Sequence, residues 1–406
     1  MRILCKSILA IAAATLIIAS GCTVKSDNFL RVKGREIYNG NNESVILKGI
    51  GLGGWMLQEP YMLLLSEAAG RQTEIKAKIS DLIGEKNCDR FYDSWLRNMI
   101  TERDIDSLKK WGFNSIRLPM HYNLFTLSAE QEPVPGQNTW LNTGFDLTDS
   151  LLTWCRKNKM YLILDLHAAP GGQGNDKPIA DVDTLKPKLW ESEANLAKTV
   201  ALWKKIAGKY SKEEWIGGYD ILNETNYKMN GNEPLKKLFL NITSEIRKVD
   251  QRHIIFIEGN QFANDYTGLL PPWDSKMVYS FHKYWNPATM ETIQKYLDIR
   301  QKYTVPFWMG ESGENTNEWF KSVVNLLESN NIGWCWWTIK KLGSESSLMT
   351  VKTPEGYQKI VDFWKGKGER PTSEEAQKVL SQLAENAKIE NCTINYGVLN
   401  ALFSKR

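Results

Sequence analysis

The chain has 406 residues, 42% of them apolar and 24% charged, with a formal charge of +4. So balanced a charge makes no case for nucleic acid or an acidic polymer as a partner. The six cysteines include no Cys-x-x-Cys and the four histidines no His-x-His, so neither a zinc site nor a metal-dependent amidohydrolase centre is expected, and no cofactor.

The N-terminal residues read as a leader. Arg2 and Lys6 are followed by an apolar stretch, residues 8–18, too short to span a bilayer comfortably. Ala19-Ser20-Gly21-Cys22 then resembles a bacterial lipobox, with Ala19 standing where Leu is commoner. That resemblance implies that residues 1–21 are removed and that Cys22 is lipidated, giving an exported protein anchored to a membrane in the periplasm or at the cell surface. An ordinary secretory signal cut nearby is the alternative. Losing Arg2 and Lys6 lowers the charge from +4 to +2. Residues 22–29 read as a tether and residues 30–406 as one domain. Of the remaining cysteines, Cys155 and Cys335 sit in apolar patterns where a thiol acts as a small hydrophobe. Whether any of Cys88, Cys155, Cys335 and Cys392 pair is left open by their positions.

Short apolar runs bounded by turn residues then recur at 45–51, 115–118, 161–167, 217–222, 253–258, 277–282, 306–311 and 332–337. Segments of helical period separate them: residues 104–112, ending on Gly112, then 145–157, 189–210, 235–249, 292–303 and 318–329. Continuous apolar strands alternating with helices imply a parallel sheet covered on its outer face. Eight such units, without a Gly-x-Gly-x-x-Gly turn, predict an α/β fold of the (β/α)₈ barrel type. Residues 30–37 and 45–48 flank Asn39-Gly40-Asn41-Asn42, read as a hairpin closing the barrel floor. Beyond the eighth strand, 355–364 and 373–388 read as helices, and the apolar tail 392–403 as docked on the barrel.

A barrel of this kind keeps its chemistry at the C-terminal ends of its strands. Two runs end there in a glutamate: Ile216-Gly-Gly-Tyr-Asp-Ile-Leu-Asn-Glu224 and Val305-Pro-Phe-Trp-Met-Gly-Glu311. The other strand ends offer Arg117, His167, Asn223, Glu258, His282, Tyr284 and Trp337. Paired carboxylates with an aromatic wall suit cleavage of a sugar acetal.

In this order the residues resemble glycoside hydrolase family 5, in the clan of retaining barrel glycosidases, over residues 47–340. The motifs are Ser115-Ile-Arg117-Leu-Pro, Leu164-Asp-Leu-His167-Ala-Ala-Pro-Gly, Asn223-Glu224, His282-Lys-Tyr284, Glu311 and Trp337. The resemblance implies that Glu224 is the acid/base and Glu311 the nucleophile, with Arg117, His167, Asn223, His282, Tyr284 and Trp337 binding substrate. Arg117 and Tyr284 should hold Glu311 ionised, while the negative Glu311 should raise the pKa of Glu224. The Asn223 amide is expected on the sugar 2-hydroxyl, His282 on the acid/base or substrate, and Trp337 beneath the cleaved sugar. The two carboxyls should stand about 5–5.5 Å apart.

Other signals carry less. Gly171-Gly-Gln-Gly174 lacks the Lys-Ser or Lys-Thr of a phosphate loop, and Gly310-Glu-Ser312-Gly313 lacks the spacing of a nucleophile elbow. Glu258 either lines the cleft or makes a structural hydrogen bond; His121 and Tyr122 either reach the site or do not. The runs Gly49-Ile-Gly-Leu-Gly-Gly-Trp-Met-Leu-Gln-Glu-Pro-Tyr61 and Trp334-Cys-Trp-Trp-Thr-Ile-Lys340 are similar to the exo-β-1,3-glucanase branch. That branch has Pro after the acid/base and an aromatic after the nucleophile, where Thr225 and Ser312 stand. The expected function is retaining hydrolysis of β-glucan, β-1,3-linked or mixed, by a monomer. An endo-β-1,4-glucanase or an inactive glycan-binding lipoprotein are the alternatives. Trp140, Trp190, Trp273 and Trp285 are candidate outer platforms, each set against simple core packing.

Overall fold

Every residue of Tyr161–Ala168 is buried, which a strand at an open sheet edge does not allow. The structure, a computed structural model, describes residues 27–404. In it β1 (Lys48–Gly51), β2 (Ser115–His121), β3 (Tyr161–Ala168) and β4 (Ile216–Asp220) are followed by β5 (Ile254–Glu258), β6 (Met277–His282), β7 (Phe307–Gly313) and β8 (Gly333–Trp337). They close in chain order, β8 pairing with both β7 and β1, into a parallel barrel with helices between strands. This is the (β/α)₈ barrel that the spacing of apolar runs predicts.

Alternation along each strand sets what the lumen contains. On β3, Leu162, Leu164 and Leu166 join the outer core shared with the helices, and Ile163, Asp165 and His167 have the opposite parity. The same parity pairs Phe256 with Glu258 on β5, and Val278 with Ser280 and His282 on β6. Ile163, Phe256, Val278, Trp308 and Cys335 pack with Leu30, Ile37 and Leu47 into a separate apolar cluster that plugs the N-terminal end. The lumen is therefore apolar at its floor and ionisable towards its mouth.

The hairpin forms one turn earlier than its sequence suggests. Arg31–Lys33 pairs with Glu36–Tyr38 across Gly34, whose φ of +60° suits a tight turn, and the Asn39 turn keeps only a bridge between Tyr38 and Ser44. The chain after that turn is committed to the barrel, as β1, instead of a longer hairpin. Two helices that the sequence reading did not name, Gln72–Ile83 and Glu85–Asn98, fill the long β1–β2 interval. Ile75, Ile79, Leu82 and Ile83 of the first are buried, at a spacing that was legible as helical. The C-terminal extension carries Tyr357–Trp364 and Ser373–Asn386, as expected, but the tail divides into strand Cys392–Ile394 and helix Tyr396–Phe403. That strand pairs with Met349–Val351, which pairs with Lys340–Leu342, in a small sheet found only through tertiary pairing.

Cys88, Cys155 and Cys335 are buried free thiols, and Cys392 is a half-buried one. The leader, Cys22 and most of the tether lie outside the described residues. Of the tether's end, Asn28 already bonds Glu214 and Phe29 packs edge-on against His253. Among the described residues no helix is long and apolar enough to cross a membrane.

One buried ion pair ties the barrel to its extension. Lys340, fully buried, places Nζ 2.6 Å from Asp104 Oδ1 and donates to the carbonyls of Met99 (2.7 Å) and Ala387 (2.8 Å). Asp104 in turn caps helix Glu102–Trp111 by accepting from Thr101. Lys340→Met leaves the Asp104 carboxylate buried without its cation and should lower stability by about 3–5 kcal/mol. Urea denaturation measures this; a loss below about 1 kcal/mol would mean the pair holds little together.

Candidate active site

The ionisable upper lumen is organised around Arg117 on β2, which is fully buried. Its Nε donates to Asp220 (2.9 Å) and its Nη1 to Glu311 Oε2 (2.7 Å), while Nη2 donates to Asn223 Oδ1 (2.8 Å) and Glu258 Oε1 (2.9 Å). Asp165 Oδ2 lies 3.2 Å from Nη2. Burial works against the guanidinium charge, but Asp165, Asp220, Glu258 and Glu311 outweigh it and hold Arg117 protonated.

Four carboxyls at such close quarters do not all ionise. Burial would raise Glu258, but His282 and Arg117 hold it at about 2, and it accepts the Glu224 amide as well. Asp220 has only the Arg117 Nε, and its Oδ1 has no partner. Burial, with Glu258 beside it, pushes Asp220 well above the carboxylate range, so the proton rests there. Burial opposes protonation of His167 and His282, yet Asp165 raises the first and Glu258, with Glu311 and Glu224, raises the second.

Glu224 lies just beyond β4 with φ +39°, in the left-handed region unusual for a side-chain-bearing residue. Its backbone N–H donates to Glu258 Oε2 at 2.7 Å, and its Oε1 lies 2.6 Å from His282 Nδ1. Glu311, on β7, accepts from Arg117 at Oε2 and from the Tyr284 hydroxyl at Oε1 (2.5 Å). Burial raises the Glu311 carboxyl, opposed by His282 and reinforced by Glu224, which leaves a more basic carboxylate than a free glutamate. Gly310, just before Glu311, lets β7 pass close to β6: a Cβ there would stand 2.2 Å from Ser280 Oγ. Glu224, His282 and Glu311 each offer one atom within 4.8 Å of the others.

These groups open onto a cavity of about 680 Å³ lined by His167, Glu224, His282, Tyr284, Glu311 and Trp337. Trp337 stacks on His167 at 5.4 Å and donates from Nε1 to the Tyr61 hydroxyl (2.6 Å), which donates to Glu314 (3.3 Å). Gly53 makes room for that indole, since a Cβ would lie 2.4 Å from its ring. On the facing wall, Phe262 belongs to three consecutive left-handed residues, with φ of +54°, +56° and +62° at Gln261, Phe262 and Ala263. Each such residue costs about 1–2 kcal/mol, and the Phe262 amide is held by the Thr225 carbonyl at 3.2 Å.

Not every expected residue reaches the cavity. Arg117 and Asn223 are fully buried and do not line it. The Asn223 amide accepts from Arg117 at Oδ1 and places its Nδ2 3.3 Å from His167. Glu258 makes structural bonds and does not line the cleft. His121 turns to Asp181 (3.1 Å) and, with Tyr122, lies off the cavity. Of the four tryptophans, only Trp285, 75% exposed, stands at the mouth. Trp140, Trp190 and Trp273 pack on the outer core, Trp190 bonding Gln173 and Trp273 lying under Lys236. Glu59, Tyr61, Phe262 and Glu314 were not among the expected site residues, although the first two belong to the Gly49–Tyr61 run itself.

Glu59 is a third acid in the cavity wall, and burial pushes its carboxyl up to about 8. Between the ordinary value of 4.5 and about 8 the fold therefore holds a proton that the unfolded chain releases, so this group's stabilisation is complete below 4.5 and lost as pH rises through 8. Glu59→Gln removes the effect. The difference in Tm, variant minus wild type, should move in the variant's favour from pH 5 to pH 8; a constant difference would contradict the buried neutral acid.

A β-xylosidase of Phanerodontia chrysosporium is 32% identical over 263 residues, covering 63% of this chain and 52% of that protein. A glucan 1,3-β-glucosidase of Candida oleophila is 27% identical over 254 residues, covering 59% and 56%. The chain thus spans about half the length of these curated relatives. The crystal structure of an endoglucanase from the hyperthermophilic Thermotoga maritima superimposes with a TM-score of 0.55 at 16% identity, covering 88% of this chain and 96% of that one. Residues 71–343 match the model of the cellulase family, and the chain belongs to glycosyl hydrolase family 5.

Proposed function

We propose that this protein is a retaining β-glycoside hydrolase acting on β-glucan, β-1,3-linked or mixed. The observation that carries the reading is the convergence of Glu224 and Glu311 on one cavity, with oxygens no more than 4.8 Å apart. Inverting enzymes separate their carboxyls by roughly 6.5–9.5 Å to admit a water; an approach within 4.8 Å supports direct attack instead. Glu311, steered by Arg117 and Tyr284, attacks the anomeric carbon as the bond to the leaving oxygen breaks. Glu224 gives that oxygen its proton from Oε2, because Oε1 is engaged by His282. Glu224 then takes a proton from the water that releases the sugar from Glu311. Trp337 offers a flat apolar face to the sugar, and Trp285 stands where an outgoing unit would leave.

The glucan assignment is supported by a relative named as a glucan 1,3-β-glucosidase and by the Gly49 and Trp334 runs. Attachment to a membrane through Cys22 is part of the proposal and rests on the leader sequence. Cys22→Ala should move the protein from the membrane to the soluble fraction.

Glu311→Ala should lower turnover of β-glucan by roughly 10⁴-fold or more while glycan affinity stays within about tenfold. Proton NMR of fresh products should show the β-anomer first. The α-anomer appearing first would refute retention. Wild-type protein inert on β-glucan, β-mannan and xylan would favour a glycan-binding role, and long oligosaccharides from β-1,4-glucan would favour endo-β-1,4-glucanase action.

A further inference from the structure

Among the described residues, Glu258 is the lumen carboxylate that meets the Glu224 main chain directly and its side chain through His282 without lining the cavity. At the main chain, its Oε2 accepts the Glu224 N–H at 2.7 Å, where φ is +39°. At the side chain, its Oε1 lies 3.2 Å from His282 Nε2, whose Nδ1 meets Glu224 Oε1 at 2.6 Å. A third link runs from Oε1 to Arg117 Nη2 at 2.9 Å. We infer that Glu258 is a positioning residue for the acid/base: it holds the left-handed backbone of Glu224 in place and, through His282, orients its carboxyl. The inference rests on the proposed role of Glu224.

The strain gives this arrangement its point. A residue with a side chain leaves the left-handed region unless its surroundings hold it there. At Glu224 the amide has no helix or sheet partner, and the Glu258 oxygen supplies the bond. The fixed imidazole then fixes which carboxyl oxygen is engaged and leaves Oε2 for the proton. Glutamine cannot replace this function. Glu258 accepts N–H groups from Glu224 and Arg117 and stands at ion-pair distance from His282 Nε2, whereas an amide carries no charge for the imidazole, has one oxygen to accept and an NH₂ that opposes the rest.

The test separates the acid step from the rest by the leaving group. A dinitrophenyl β-glucoside departs without protonation, whereas a β-glucan oligosaccharide needs it. For Glu258→Gln, kcat on the oligosaccharide should fall about 100-fold or more with KM changed only a few-fold, in line with the 10²–10⁴ that general acid catalysis supplies. On the dinitrophenyl glucoside, kcat/KM should fall less than about tenfold. Glu258→Asp keeps the charge beneath Arg117 but draws the carboxylate back; it should show the same selectivity at smaller size, and it serves if the glutamine variant does not fold. Equal losses on both substrates, or no loss on either, would overturn the inference. Glu224→Ala measured in parallel distinguishes the two claims: if it shows no leaving-group dependence, the acid/base assignment itself fails.

Discussion

A guanidinium with no exposed surface, surrounded by carboxylates, is the constraint on which this molecule depends. Arg117 is taken out of water at the centre of the barrel, where an unpaired charge would cost several kcal/mol; Asp165, Glu258 and Glu311 offset that cost, with neutral Asp220 accepting from its Nε. Each acid comes from a different strand, so meeting the needs of one cation fixes β3, β4, β5 and β7 relative to β2. Glu311, the proposed nucleophile, is one of these acids and reaches the cavity; the other three stay behind it. Catalytic geometry and barrel stability are thus set by the same group of charges.

A second layer holds the walls. Trp337 lies on His167, is tied to Tyr61 and through it to Glu314, and Lys341 closes the chain by pairing with Glu314. Lys341 sits on Lys340–Leu342, in the small sheet that the tail strand Cys392–Ile394 completes. The C-terminal extension, largely beyond the residues matched by the family model, is thereby joined to the cavity rim.

Much of this was legible in the chain. Buried parallel strands are continuous apolar runs, and a barrel must place their C-terminal ends at one mouth, so Glu224 and Glu311 could be brought together on spacing alone. Glu258 stood at the same kind of strand end, yet it lies beneath the cavity. Parity places a side chain in the lumen but does not say how high in the lumen it sits. Trp140, Trp190 and Trp273 looked no different from Trp285 along the chain; packing against the outer core separates them. The hairpin turn moved to Gly34 because β1 is claimed by its neighbours in the barrel, a long-range demand that a local turn signal does not carry.

The sequence by itself determined the fold class, the strand ends and the residue types that meet there, because hydrophobic period and turn chemistry are local properties. Only the tertiary structure decided which carboxyl is ionised, which is protonated and which faces the cavity. Those outcomes depend on burial and on partners such as Arg117 and His282, brought within hydrogen-bond reach from positions far apart along the chain.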